Sequence, residues 1–350
     1  MADPRPRVWV SQPLFDDVIG QLAAEVECVT TPVITAHDSA AIARALADVD
    51  GALVTLNESI GAAEIAGATR LRVIANVGVG HNNLDLAALG AAGILATNTP
   101  DVLTETTADL GFALLMAAAR RVGEAERWLR AGRWQQWSFT DLLGSDIHGT
   151  TLGILGMGRI GQAIARRAAL GFGMRVLYHN RSRLPEAVEQ PLGARYVDLQ
   201  TLLAQSDHLV LVLPYSPDSH HLIDAAALAQ MKPTATLVNI ARGGLVDEQA
   251  LATALRNGRL AAAALDVHEH EPQVRPELLD LPNVVLTPHI GSASVPTRRA
   301  MVSLAVDNLR AGLGIGDRAG APPNALNADA VALAAARNTP IITGIKRQGA

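Results

Sequence analysis

Cysteine is almost missing from this chain, Cys28 being the single one. No intrachain disulfide is possible, and a lone thiol suits a reducing compartment. Aromatic residues make up only 3% of the 350 residues, so a core must be filled by Ala, Leu, Val and Ile. Long runs of Lys or Arg are lacking too, and the formal net charge is −5, which leaves no electrostatic footprint for nucleic acid or an anionic membrane. The longest apolar run, LGFALLMAAA, is about half the roughly 20 residues that a membrane span requires. Behind the amino-terminal MADPRPR stands no apolar stretch, so neither a signal peptide nor a transit helix is expected. These absences leave a cytoplasmic protein whose partners are small molecules or a second copy of itself.

What is present is a composition 49% hydrophobic and 18% charged, in a chain long enough for two packed domains. Short β-branched runs alternate with Ala- and Leu-rich helical stretches, the pattern of βα units on a parallel sheet. The expected strands are RVWV, GALVTL, LRVIANV and GILATN, then from residue 151 TLGILG, RVLYHN, HLVLVLP, ATLVNIA, AAAALDV and NVVLTP. Each is continuously apolar, as strands buried on both faces are. The fold class is therefore α/β with two doubly wound parallel-sheet lobes. NTPDVLTETTADLGFALLMAAARR reads as one long helix from Pro100 to near Arg121, and a second helix follows Ser292. If the second returns to the first lobe, a nucleotide domain of residues 100–289 is inserted into a lobe built from 1–99 and 290–318, with 319–350 as a tail belonging to neither.

Gly156-Met157-Gly158-Arg159-Ile160-Gly161 is a GxGxxG placed directly after a strand and before a helix. Gly156 suits a tight turn, Gly158 lets the backbone approach a pyrophosphate, and Gly161 lets the helix pack on the strand. The helix start offers free N–H groups and a positive dipole end to the phosphates. This is the fingerprint of a Rossmann dinucleotide domain. About 20 residues on, where an acid commonly holds a ribose hydroxyl, stands Asn180, followed by Arg181, Ser182 and Arg183. A neutral side chain does not repel a 2′-phosphate, and the two arginines suit one. NADP(H) is the expected cofactor, with NAD(H) left open: the alternative is that both arginines are solvated and either dinucleotide binds.

Three later segments fall at strand ends, where open α/β sheets place ligands: VNIARGGLVDEQAL, ALDVHEHEP and NVVLTPHIGSA. With the glycine loop and the long helix, they resemble the D-isomer-specific 2-hydroxyacid dehydrogenase family, and within it the glyoxylate/hydroxypyruvate and 2-ketogluconate reductases. The resemblance runs from about residue 50 to 312. It implies a flavodoxin-like substrate domain around the Rossmann domain, and reduction of a small 2-oxo acid to a D-2-hydroxy acid. It further implies Arg242 as the substrate-binding arginine, Glu271 as the acidic partner and His289 as the acid/base. The chemistry suits these types: an imidazole supplies a proton near neutral pH, a carboxylate orients it, and a guanidinium binds a carboxylate and polarises a carbonyl.

By the same resemblance the backbone of Val79 and Gly80, in NVGVGHNNLD, holds the substrate carboxylate. Thr104 lies on the cofactor phosphate, Ile240 and Ala241 along the nicotinamide ribose, and Asp266 at the carboxamide. His81-Asn82 departs from the relatives' Tyr-Asp or Ile-Asp, and His268 stands where they often have Phe. The His268-x-His270 spacing invites a metal, but no second compact ligand group accompanies it and the family uses none, so no metal is expected. Trp128, Trp134 and Trp137 fall in a segment through which the family dimerises; packing within one chain is the other reading. Phosphite, formate and 3-phosphoglycerate dehydrogenases share the fold, although formate enzymes usually carry Gln in place of Glu271. From a different class, dinucleotide-sensing corepressors do so too.

Overall fold

The computed structural model describes residues 5–32 and 38–338, with side chains as far as residue 333. Two compact units result, one holding the chain up to Leu103 and again from Val295, the other Thr104–Ser294.

In the first unit, β1 (Arg7–Val10), β2 (Glu27–Thr30), β3 (Gly51–Val54), β4 (Val73–Asn76) and β5 (Leu95–Thr97) form a parallel sheet in the order β2-β1-β3-β4-β5. This is the flavodoxin-like order. β1, β3 and β4 are apolar and buried on both faces, and a core cluster covers each face of the sheet. The Val295–Gly312 helix returns the chain here, its Val302, Ala305 and Leu309 joining the cluster that contains Leu53 and Val73. Small residues permit the close approach: a Cβ on Gly51 would stand 2.9 Å from Leu309 Cδ1, and one on Gly312 2.6 Å from Val73 Cγ2.

The stretch after residue 318 was expected to stand apart from both lobes, but residues up to 338 lie in the first unit. The Leu326 N–H donates to the Ala96 carbonyl at 2.8 Å, and the Asn327 amide accepts from the Ala96 N–H at 2.8 Å and donates to the Ile94 carbonyl at 3.0 Å. The segment thus satisfies the free edge of β5, and the Ala328–Asn338 helix packs against Leu86–Ala91.

The second unit carries β6 (Thr151–Leu155), β7 (Arg175–His179), β8 (Arg195–Tyr196), β9 (His208–Leu211), β10 (Thr236–Asn239), β11 (Ala262–Leu265) and β12 (Val284–Leu286). Their order is β12-β11-β10-β9-β6-β7-β8, every pairing parallel. Counted from β6 this is the doubly wound Rossmann order with one strand added beyond β11. The expected single helix is two: Thr104–Ala119 ends where Arg121 adopts φ 54°, and Val122–Arg130 follows. Thr104–Ala119 is apolar on most faces because it packs on β9 to β12 and on Arg159–Arg166. Ion pairs of Arg166 and Arg167 with Glu105, and of Arg167 with Asp109, fasten its start to that neighbour. The unit extends to Ser294 rather than 289, since the turn after β12 is tied back to Asp266.

Candidate active site

β6 runs straight into the glycine turn. Gly156 has φ 102°, and a Cβ there would stand 2.5 Å from Leu213 N on the neighbouring strand connection. A Cβ on Gly161 would meet the Gly156 carbonyl oxygen at 2.4 Å. Both positions are closed to any side chain. Gly158 differs: it caps the Arg159–Arg166 helix, and nothing lies within 4 Å of where its Cβ would be. Two glycines hold the turn tight while the third leaves the helix start open, which is the cradle a pyrophosphate requires. No acid occupies the first turn of that helix; Arg159 is exposed and Ile160 half-buried.

β7 brings Asn180 beside this turn, where its Oδ1 accepts from the Met157 N–H at 2.7 Å. Asn180 is therefore a brace of the glycine loop. Arg181, Ser182 and Arg183 are exposed. The two arginines are not equivalent, however. Arg183 makes a paired contact with the buried Glu189, Nε and Nη2 reaching its carboxylate at 3.0 and 2.7 Å. The same carboxylate accepts from Tyr178 Oη at 2.6 Å, and burial together with this bond pushes the tyrosine up to about 12. Tyr178 in turn accepts the Leu184 N–H at 2.8 Å, so a buried tyrosine and glutamate shape the Arg181–Leu184 loop.

Three strand ends then supply the remaining groups. Arg242 follows β10, Glu271 follows β11 and His289 follows β12. His289 Nδ1 lies 2.8 Å from Glu271 Oε2. The other Glu271 oxygen accepts the His268 N–H at 2.9 Å. Burial pushes the Glu271 carboxyl up, but the bond and charge of His289 outweigh it and hold the group below its ordinary value. Arg242 is pushed down by burial, and Glu271 is near enough for its charge to oppose that. Arg242 Nη1 donates to the Ala241 carbonyl at 2.6 Å. Ile240 and Ala241 are buried, 8% and 7% exposed, at the end of β10.

Asp266, 1% exposed, is committed locally through one oxygen: Oδ1 accepts from Thr287 Oγ1 at 2.6 Å and from the Ile290 N–H at 2.8 Å. Its carbonyl accepts the His289 N–H at 2.8 Å. These bonds hold His289 at φ 53°, in the left-handed region. Thr104 opens its helix half-buried. One turn on, Thr107 reaches the histidine turn, its Cγ2 lying 3.4 Å from where a Cβ on Gly291 would be. Nothing in the sequence singled out Thr107 beyond its spacing of three from Thr104.

In the first unit, the Val79–Gly80 turn is shaped by amides. Asn98 Nδ2 donates to the Val79 carbonyl at 2.8 Å and Asn76 Nδ2 to the Gly80 carbonyl at 2.9 Å. Both carbonyls are thereby occupied. His268 is buried whereas His270 is exposed, so the HxH pair does not converge. Among the described residues, His220, His221 and Glu269 do cluster, one possible ligand atom from each lying within 4.8 Å of the others, and the two imidazoles stack at 3.9 Å and 23°.

The family model for the D-isomer specific 2-hydroxyacid dehydrogenase NAD binding domain matches residues 112–291. The chain belongs to the D-isomer specific 2-hydroxyacid dehydrogenase family. A glyoxylate reductase of Thermococcus onnurineus is 50% identical over 266 residues, 75% of this chain and 79% of its own. A glyoxylate/hydroxypyruvate reductase B of Klebsiella pneumoniae is 44% identical over 306 residues, 87% and 94% of the two chains. Among solved structures, an NADPH-dependent glyoxylate/hydroxypyruvate reductase of Sinorhizobium meliloti, in complex with NADP and malonate, matches with a TM-score of 0.81. It is 38% identical and covers 93% of this chain and 97% of that one. This member of the family is thus an oxidoreductase of 2-hydroxy acids and their 2-oxo acids that works with a nicotinamide dinucleotide.

Proposed function

We propose that the enzyme reduces glyoxylate, hydroxypyruvate or a similar small 2-oxo acid to the D-2-hydroxy acid, with NADP(H) as the preferred dinucleotide. The observation that carries the reading is the 2.8 Å contact between His289 Nδ1 and Glu271. It occupies one ring nitrogen and leaves Nε2 as the one that delivers a proton to the substrate's carbonyl oxygen. The bound nicotinamide supplies the hydride to the keto carbon. Glu271 holds the ring in place. Arg242 keeps guanidinium donors for the substrate carboxylate and for the charge that grows on the carbonyl oxygen. The backbone N–H groups of Val79 and Gly80 are assigned the substrate carboxylate as well, and Thr104, Asp266, Ile240 and Ala241 the cofactor.

The dinucleotide preference rests on a neutral Asn180 and on the exposed Arg181, whose guanidinium, among the described residues, is not paired with an acid as that of Arg183 is with Glu189. The relatives' printed activities support the substrate class. We further assign the protein to the cytoplasm, on its single cysteine, and to a homodimer. Among the described residues no helix is long and apolar enough to cross a membrane. Trp134, Trp137 and Phe139 are 56%, 73% and 82% exposed, an apolar surface suited to a second copy.

The test is NADPH oxidation with glyoxylate, hydroxypyruvate and 2-ketogluconate by the natural protein and by His289→Ala. We expect turnover of at least one substrate, and a loss of about 10²- to 10⁴-fold in kcat in the variant. Cofactor affinity, followed by nicotinamide fluorescence, stays unchanged. A protein that binds the dinucleotide but turns over nothing would instead be a sensor of the corepressor kind.

A further inference from the structure

Behind the His289–Glu271 pair lies a second imidazole and carboxylate, both sealed from water. The side chains of His268 and Glu248 are 4% and 3% exposed. His268 Nε2 lies 3.1 Å from the Thr287 carbonyl oxygen. A carbonyl only accepts, so Nε2 carries a proton. Nδ1 then has no hydrogen-bond partner and faces Glu248 Oε1 at 3.9 Å. Without a further proton, a lone pair and a carboxylate would confront each other in a buried site, where unpaired polar groups are costly.

One proton removes the conflict. On Nδ1 it makes an imidazolium beside a carboxylate; on Glu248 it makes a neutral acid facing the Nδ1 lone pair. The two forms have the same composition and no net charge. Burial, and to a lesser degree the charge of Glu269, push the Glu248 carboxyl up against the pull of the Glu269 N–H, His268 and Arg275, which agrees with a retained proton. We propose that His268 and Glu248 share a single proton, and that this pair acts as a positioning device for the acid/base. The link is covalent and short: the His268 backbone N–H is the donor that holds Glu271 Oε1. Fixing the His268 ring between Thr287 and Glu248 therefore fixes the carboxylate on which His289 leans.

The other charged groups around the pair are few. Glu269 donates its backbone N–H to Glu248 Oε1 at 2.9 Å, while its own carboxylate is bonded to His221 and lies 3.8 Å from Arg275. Glu271 and His289 close the other side. The charges of Glu269 and Arg275 both reach Glu248 and act in opposite directions, Glu269 favouring the retained proton and Arg275 opposing it.

The inference rests on His289 and Glu271 being the acid/base pair, so its first test avoids activity altogether. In the full-length protein with ring-¹⁵N histidine, the His268 signal is identified by its loss in His268→Phe, or in His268→Gln should the Phe variant not fold. Between pH 6 and 8 we expect both His268 nitrogens to be proton-bearing or hydrogen-bonded and not to titrate. A bare Nδ1, or ordinary titration in that range, would overturn the proposal whatever the assays show. The second test is kinetic. Glu248→Gln, which can still turn an N–H toward Nδ1, should keep kcat within about twofold, while Glu248→Leu should lower it roughly 10- to 100-fold, as loss of a supporting partner does, with little change in KM. Equal kcat for the Gln and Leu variants would remove the positioning role even if the proton is seen.

Discussion

At the residue scale, His289 owes its place less to itself than to two acids. Asp266 holds its backbone in a left-handed conformation, and Glu271 holds its ring. The types and strand-end positions of Arg242, Glu271 and His289 were legible in the sequence. The bracing by Asp266 was not, because spacing does not reveal where a buried carboxylate points. Asn180 shows the same limit: its uncharged character was readable, its bond to Met157 N was not. That bond makes a clean experiment available. Asn180→Asp keeps an acceptor for Met157 N, so the loop survives and only the charge at this position changes. We expect the ratio of kcat/KM for NADPH over NADH to fall by about tenfold or more, as loss of one charge-assisted contact implies. Steady-state kinetics with both cofactors would check it, and an unchanged ratio would remove Asn180 from the account of preference.

Among the elements, the strands that reasoning from sequence missed are one edge of each sheet, β2 and β8. β2, ECVT, alternates between exposed and half-buried positions, and β8 is two residues long, half-buried at best. A continuous apolar run marks a strand covered on both faces, and these two edge strands carry no such mark. The interior strands had it, as did the other two edges, β5 and β12, and were found. The glycine turn illustrates how one motif divides its labour. Gly161→Ala drives a methyl against the Gly156 carbonyl oxygen, and overpacking of this kind should destabilise the protein by about 1–3 kcal/mol. Gly158→Ala meets open space, so its melting temperature should stay near that of the natural protein while NADPH affinity falls. Thermal unfolding and a cofactor titration on the two variants separate the outcomes. Equal affinity in Gly158→Ala would show that the helix start is not where the phosphates lie.

For the whole molecule, stability and assembly are the relevant quantities. His208 is buried at the start of β9, its ring bonded to the Asp146 carbonyl at 3.1 Å, and burial holds it below its ordinary 6.5. The unfolded chain therefore takes up the proton first. The stability tied to this residue is complete above about 6.5 and is lost as pH falls toward the lower folded value. In His208→Leu, the drop in melting temperature between pH 7.5 and 5.5 should be smaller than in the natural protein; an equal drop would exonerate this histidine. The exposed aromatics of 134–139 make a second expectation, that Trp137→Ser with Phe139→Ser shifts sedimentation from dimer to monomer. An unaltered sedimentation coefficient would place the interface elsewhere. Domain insertion was readable only as a condition on where the helix after the last strand leads; that helix begins at Val295, where the first unit resumes. The destination of the last segment was not readable, since three hydrogen bonds from an Ala- and Asn-rich stretch leave no periodic trace. Those bonds also bear on any shortened form of the chain. Cut before Ala325, the molecule would bare the amides of β5 as a template onto which neighbouring copies can zip. Turbidity, ahead of any fall in turnover, would be the first symptom of that loss.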